Sequence, residues 1–186
     1  MIELSTAVLV VDLIQEFVTG RLGNPRTQTV VPRVKKLLDA ARRKGHRIIH
    51  VTDAHIPGVD AEFEVWGSHA EAGTPGAKIV PELTPRKGEF HLHKRRYSAF
   101  YATGLDELLR ELGVKELIVA GVLTNICIQH TAADAFFRGY KVTVPRDCVD
   151  ALTDEEQEDS LAFMKRMYGA EITDSKTLIE RLEAKK

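Results

Sequence analysis

The sequence predicts a three-layer α/β/α domain built on a doubly wound, six-stranded parallel sheet with helices on both faces. Three observations carry this expectation. Short β-branched apolar runs alternate with longer stretches of helical period, the pattern of parallel strands joined by crossover helices. The runs AVLVVD (7–12) and ELIVAG (116–121) are apolar without alternation, as strands buried on both faces require. At 186 residues the chain is long enough for one well-buried core and short for two, so residues 1–186 read as a single domain.

The elements follow in order. After the strand at 7–12, Val30, Val31, Val34, Leu37, Leu38 and Ala41 fall at helical spacing, with Pro32 read as a first-turn residue and Gly45 as the stop. RIIHVT (47–52) is the second strand. From Asp53 to about Pro85 the chain is rich in Gly and Pro without a sustained period; so long a connection in a compact domain is usually functional. GEFHLHK forms a third strand ending near Lys94, and Thr103 with Asp106 reads as the cap of the helix GLDELLREL, stopped at Gly113. Beyond the strand at 116–121 come VLTN, the helix ICIQHTAADAFFRG and the strand KVTV (141–144). A box from Thr153 to Glu156 opens a helix carrying Leu161, Met164 and Met167, and a short strand near Ile172 and a charged helix complete the fold. No internal repeat, low-complexity tract or linker interrupts this series.

The net charge is -1, with 28% charged residues spread along the chain. That leaves no electrostatic footprint for nucleic acid or an anionic membrane surface and favours small-molecule or protein partners. Two cysteines are too few for a disulfide framework, and the apolar N-terminal run lacks the basic flank and length of a signal peptide or membrane span. A reducing, cytoplasmic setting is expected.

In a parallel sheet of this kind ligands bind beyond the carboxyl ends of the strands. Asp12, Asp53, Lys94 and the turn leading to Cys127 all fall at that edge. Each has a plain structural reading: Asp12 as a turn or cap residue, Lys94 as part of a solvated basic cluster with Arg95 and Arg96, Cys127 as a small buried apolar residue. Together they make a workable nucleophilic site. Cys127 in the first turn of a helix is expected to have a lowered thiol pKa. A carboxylate can shuttle its proton, and an ammonium can lower both pKa values and offset developing negative charge.

The segments VVDLIQEF around Asp12, HKRRYSAFYATGLDELLRELG around Lys94 and AGVLTNICIQHTAADAFFRGYKVTVPRDCVDALT around Cys127 resemble the isochorismatase-like cysteine hydrolase superfamily. That superfamily includes nicotinamidases, N-carbamoylsarcosine amidases and ureidoacrylate amidases, and the resemblance covers nearly the whole chain. It implies a catalytic triad of Asp12, Lys94 and Cys127, in which Cys127 attacks a carbonyl, ammonia or an amine leaves and water cleaves the thioester. It also implies a non-proline cis peptide between Val122 and Leu123, with an oxyanion hole formed by the amides of Leu123 and Cys127. Members that cleave a vinyl ether can lack the cysteine, so Cys127 points to amide hydrolysis. The resemblance further implies a homo-oligomer, dimer or tetramer, and no organic cofactor.

Asp53 and His55 in the order DAH, followed by His69, offer a carboxylate and two imidazoles that suit zinc or a similar divalent ion. Without the resemblance they read as a turn residue and two loop histidines. With it they are similar to the metal site of nicotinamidases, where the ion holds the pyridine nitrogen of the substrate. The nicotinamidase pattern has a further histidine a few residues on; IPGVDAEFE has none, leaving Asp60, Glu62 or water for that position. Phe17, Trp66, Tyr97 and Phe100 lie in segments expected to border the site and suit a flat ring held by stacking, with core packing as the alternative for each. The expected substrate is nicotinamide or a related small primary amide; the alternatives are a metal-independent amidase for a carbamoyl or ureido compound, an isochorismatase-type hydrolase, and a non-catalytic binding protein on the same scaffold.

Overall fold

The computed structural model describes residues 6–184. Seven strands form one parallel sheet: β1 (Thr6–Val11), β2 (Arg47–Asp53), β3 (Phe90–Lys94), β4 (Glu116–Val122), β5 (Lys141–Pro145), β6 (Val149–Asp150) and β7 (Glu171–Thr173). The main path runs β3-β2-β1-β4-β5-β7, and β6 pairs with β4 off that path. The six expected strands form that path. The seventh, two residues long, was not expected, because two residues carry no periodicity to read.

Every residue of β1 is buried, and its two faces feed separate cores. Ala7, Leu9 and Val11 join one cluster, together with Leu105, Leu109, Ile128, Ala132, Leu161 and Met164. Val8 and Val10 join the other, with Val30, Val34, Leu37, Leu38, Leu178 and Leu182. Thus α4 (Leu105–Glu111), α5 (Gln129–Phe137) and α6 (Asp154–Tyr168) cover one face, and α2 (Pro25–Arg43) and α7 (Ser175–Ala184) the other. Two one-turn helices, α1 (Gln15–Val18) and α3 (Phe63–Trp66), lie in the loops after β1 and β2. Among the described residues no helix is long and apolar enough to cross a membrane.

Two helix starts differ from expectation. Helix α2 begins at Pro25, capped by the Asn24 side chain, which accepts from the N–H groups of Arg26 and Thr27. Pro32 therefore lies inside the helix and not in its first turn. Helix α4 begins at Leu105 without a side-chain cap on its preceding Gly104; Thr103 Oγ1 does accept from Leu105 N–H, at 3.3 Å. Asp106 instead accepts from the Tyr140 hydroxyl at 2.8 Å. The box of Thr153 and Glu156 forms as expected.

One buried histidine ties this fold to pH. His50 on β2 is 1% exposed, and neither ring nitrogen has a hydrogen-bond partner. Burial pushes its imidazole down to about 4 from 6.5, so the folded chain takes this proton only well below the pH at which the unfolded chain does. The stability is therefore present above the unfolded value and declines as pH falls toward the folded one, by roughly 3 kcal/mol at about pH 4. Urea unfolding of the wild type and His50→Gln across this window should show the wild type losing more stability by about that amount; parallel losses would exclude His50 as the source.

Candidate active site

The carboxyl ends of β1 to β4 bring the candidate groups together. Lys94 is the last residue of β3, in register with Asp53 at the end of β2, and Val11 pairs with Gly121 of β4. Gly121 has φ +128°, and a Cβ there would lie 1.9 Å from the Val11 carbonyl oxygen. Only glycine lets the two strand ends approach so closely. Asp12 then turns into the left-handed region, φ 57°, which aspartate tolerates better than most residues. Its N–H still donates to the Val51 carbonyl at 3.1 Å.

That turn places Asp12 Oδ1 to accept from the Asp53 N–H at 2.8 Å, while Oδ2 lies 2.7 Å from Lys94 Nζ. Lys94 Nζ also donates to Asp53 Oδ1 at 2.6 Å and approaches Cys127 Sγ at 3.6 Å. Cys127 itself stands in a π-helical turn, Thr124–Ile128, between β4 and α5. The peptide between Val122 and Leu123, just before this turn, is cis. An ammonium between two carboxylates and a thiol, all buried, is thus the centre of the site.

The electrostatics run against one expectation. Burial pushes the Cys127 thiol well up, with Asp12 and Asp53 adding to the effect and Lys94 opposing it. A helix start alone favours the thiolate; here desolvation and two nearby carboxylates outweigh it. Asp12 moves the same way: burial and the Asp53 charge raise it to about 7 although Lys94 pulls it down. Lys94 is raised despite its burial by Asp12, Cys127 and Asp53 and stays charged. The resting site therefore holds a protonated thiol beside a carboxylate of near-neutral pKa, as a general base near physiological pH requires.

Next to this group Asp53, His55, Glu62 and His69 are all buried, and one donor atom from each lies within 4.8 Å of the others. Of the two acids left open for the fourth position, Glu62 is the one whose carboxylate joins this group. Asp60 faces the other side of His55, 3.0 Å from Nδ1. His69 Nδ1 meets the Gly67 carbonyl at 2.7 Å, so that nitrogen donates and Nε2 carries the lone pair. His55 Nε2 and Glu62 Oε1 are buried without hydrogen-bond partners. Two imidazoles, two carboxylates and orphaned donor atoms at their meeting point fit a divalent transition metal such as zinc.

A cavity of about 290 Å³ opens over both groups, with Cys127, Asp53, Glu62 and His69 in its wall. Phe17, Trp66 and Tyr97 line it, as the sequence suggested. Trp66 Nε1 donates to the Tyr97 hydroxyl at 3.1 Å, which fixes both rings. Phe100 does not belong here: it is 4% exposed in the core, with its ring centroid 5.9 Å from that of Tyr140 and 5.0 Å from the Arg138 guanidinium carbon. The sequence reading missed Ile126, Leu152 and Arg21, which also line the cavity. For Arg21 a signal existed, since TGRLGN follows β1 at the sheet edge where loops form sites.

Residues 6–177 match the isochorismatase domain. The chain belongs to the isochorismatase family. It is similar in structure to the N-carbamoylsarcosine amidase of Thermoplasma acidophilum, with 37% identity, a TM-score of 0.86, and coverage of 92% of this chain and 96% of that one. It is also similar to the pyrazinamidase of Pyrococcus horikoshii in complex with zinc, with 30% identity, a TM-score of 0.84, and coverage of 91% and 99%. The maleamate amidohydrolase of Pseudomonas putida is 31% identical over 175 residues, 90% of this chain and 82% of that protein. These relatives are amidohydrolases, and this isochorismatase-family chain is a hydrolase of C–N bonds other than peptide bonds.

Proposed function

We propose that this isochorismatase-family protein is a cysteine amidohydrolase for a small, flat, uncharged primary amide, with nicotinamide as the leading candidate. One observation carries the reading: the Cys127 thiol, the buried Asp12 and Lys94 pair and a four-ligand cluster share one aromatic-walled cavity. Asp53, His55, Glu62 and His69 would hold a divalent ion. When bound, such an ion supplies a Lewis acid for a ring nitrogen or carbonyl oxygen of the substrate.

Asp12 takes the thiol proton as Cys127 Sγ bonds to the amide carbon, and the amides of Leu123 and Cys127 receive the oxyanion. The proton passes from Asp12 to the leaving nitrogen, the C–N bond breaks and ammonia departs. Water then gives a proton to Asp12 as its oxygen attacks the thioester. The C–S bond breaks, and the proton returns to Cys127. Throughout, the Lys94 ammonium offsets the negative charge that moves between Asp12 and Sγ.

A second reading, a metal-independent amidase for a carbamoyl, ureido or carboxylated amide, draws on the matched relatives named for maleamate and N-carbamoylsarcosine. Among the described residues lining the cavity, Arg21 is the one cation. Its side chain is 53% exposed, and Nη2 already donates to the Trp66 and Ser68 carbonyls. An anionic substrate would thus meet a cation at the rim and none in the wall, which favours the uncharged amide. Ammonia release should be fastest with nicotinamide and should fall at least about tenfold after chelation, returning with zinc. Chelator-insensitive turnover of the carboxylated or ureido amides would move the assignment to the second reading. Phe136 and Phe137, 46% and 71% exposed at the end of α5, support a homo-oligomer as part of either.

A further inference from the structure

We propose that Asp60, held by Arg95, is a positioning residue that sets the tautomer of His55, so that Nε2 of this imidazole faces Asp53, Glu62 and His69 as a lone-pair donor. The inference rests on reading those four residues as a metal site.

The Asp60 side chain is fully buried yet belongs to neither the candidate triad nor the four-ligand cluster. Its Oδ2 lies 3.0 Å from His55 Nδ1 and accepts from the Ile56 N–H at 2.9 Å. Arg95 Nε donates to Oδ1 at 2.9 Å and to Oδ2 at 3.0 Å, and Arg95 Nη2 donates to Oδ1. Both oxygens of Asp60 thus already accept from the N–H groups of Arg95 and Ile56, and this carboxylate meets Nδ1 as an acceptor. The nitrogen facing it must carry the hydrogen, and a neutral imidazole has only one. Nε2 is thereby left as the acceptor, 3.5 Å from Asp53 Oδ2 and 3.8 Å from Glu62 Oε2.

Arg95 follows Lys94 directly. The strand end that presents the ammonium therefore also anchors the loop that presents His55. A carboxylate behind a metal-ligating histidine fixes its ring and raises its basicity, and loss of such a partner typically costs 10–100-fold in affinity. The competing account is that Asp60 merely pins the loop through the Ile56 N–H and Arg95.

The test compares the full-length wild type with Asp60→Asn, whose amide can either accept from or donate to Nδ1. Imidazole ¹⁵N shifts of metal-free protein are recorded at alkaline pH, where the ring is neutral, and zinc affinity is read by competition with a chromophoric chelator. The wild type should hold His55 as the Nδ1–H tautomer; the variant should mix in the Nε2–H form and bind zinc about 10–100-fold more weakly. Should Asp60→Asn fail to fold, Arg95→Gln, altered at a side chain 46% exposed, should shift tautomer and affinity in the same direction. A variant whose unfolding temperature falls while tautomer and zinc affinity stay at wild-type values would overturn the proposal. Wild-type protein that holds the Nδ1–H tautomer through Asp60 but binds no zinc would leave the positioning role standing and defeat the metal reading.

Discussion

Cys127→Ala lowers the turnover of the true amide substrate by about 10⁴-fold or more, because no other group in the cavity can form the thioester. The fold should survive. The side chain is small and 7% exposed, and its loss leaves a void of one sulfur, worth about 1 kcal/mol. The raised thiol pKa makes Asp12 the necessary partner: a thiol held protonated by burial is a poor nucleophile until the adjacent carboxylate takes its proton. Ammonia release and the urea midpoint of the same preparation check both halves of the expectation. Turnover within tenfold of wild type in a folded Cys127→Ala protein would rule out the mechanism proposed above.

Lys94→Met has a different signature, since here stability and activity fall together. Lys94 is among the largest fully buried side chains, and its ammonium lies 2.7 Å from Asp12 and 2.6 Å from Asp53. Methionine fills a similar volume without charge and leaves two carboxylates facing each other out of water. Breaking a buried pair in this way costs about 3–5 kcal/mol. The double variant Asp12→Asn with Lys94→Met removes one of the stranded charges and should recover part of that loss without recovering activity. Urea unfolding of the two single variants and the double variant measures the coupling. Additive losses would show that the ion pair is not the source.

Much of this architecture was legible because burial and periodicity are local properties of sequence. The run at 7–12 must be buried on both faces because it has no polar face, and the observed β1 has none exposed. The capping box at Thr153 and Glu156 was legible for the same reason, since its partners are three residues apart. The start of α2 lies five residues before its apolar spacing begins at Val30, and the local signal for it is Asn24 before Pro25. At the site, the strand ends bearing Asp12, Asp53 and Lys94 followed from the parallel sheet alone. The family segments added the grouping with Cys127.

What the sequence by itself determined is therefore the layer order and the candidate chemical groups at one sheet edge: a carboxylate, an ammonium, a thiol and two loop histidines. Only the tertiary structure decided between Asp60 and Glu62, two acids of one short loop, because Arg95 reaches Asp60 and leaves Glu62 facing the cluster. It likewise separated Tyr97, in the cavity wall, from Phe100, three residues away in the core. It also reversed the direction of the Cys127 shift. A helix terminus acts locally and can be read from spacing, whereas desolvation and the approach of Asp12 and Asp53 depend on chain segments more than 70 residues away in sequence.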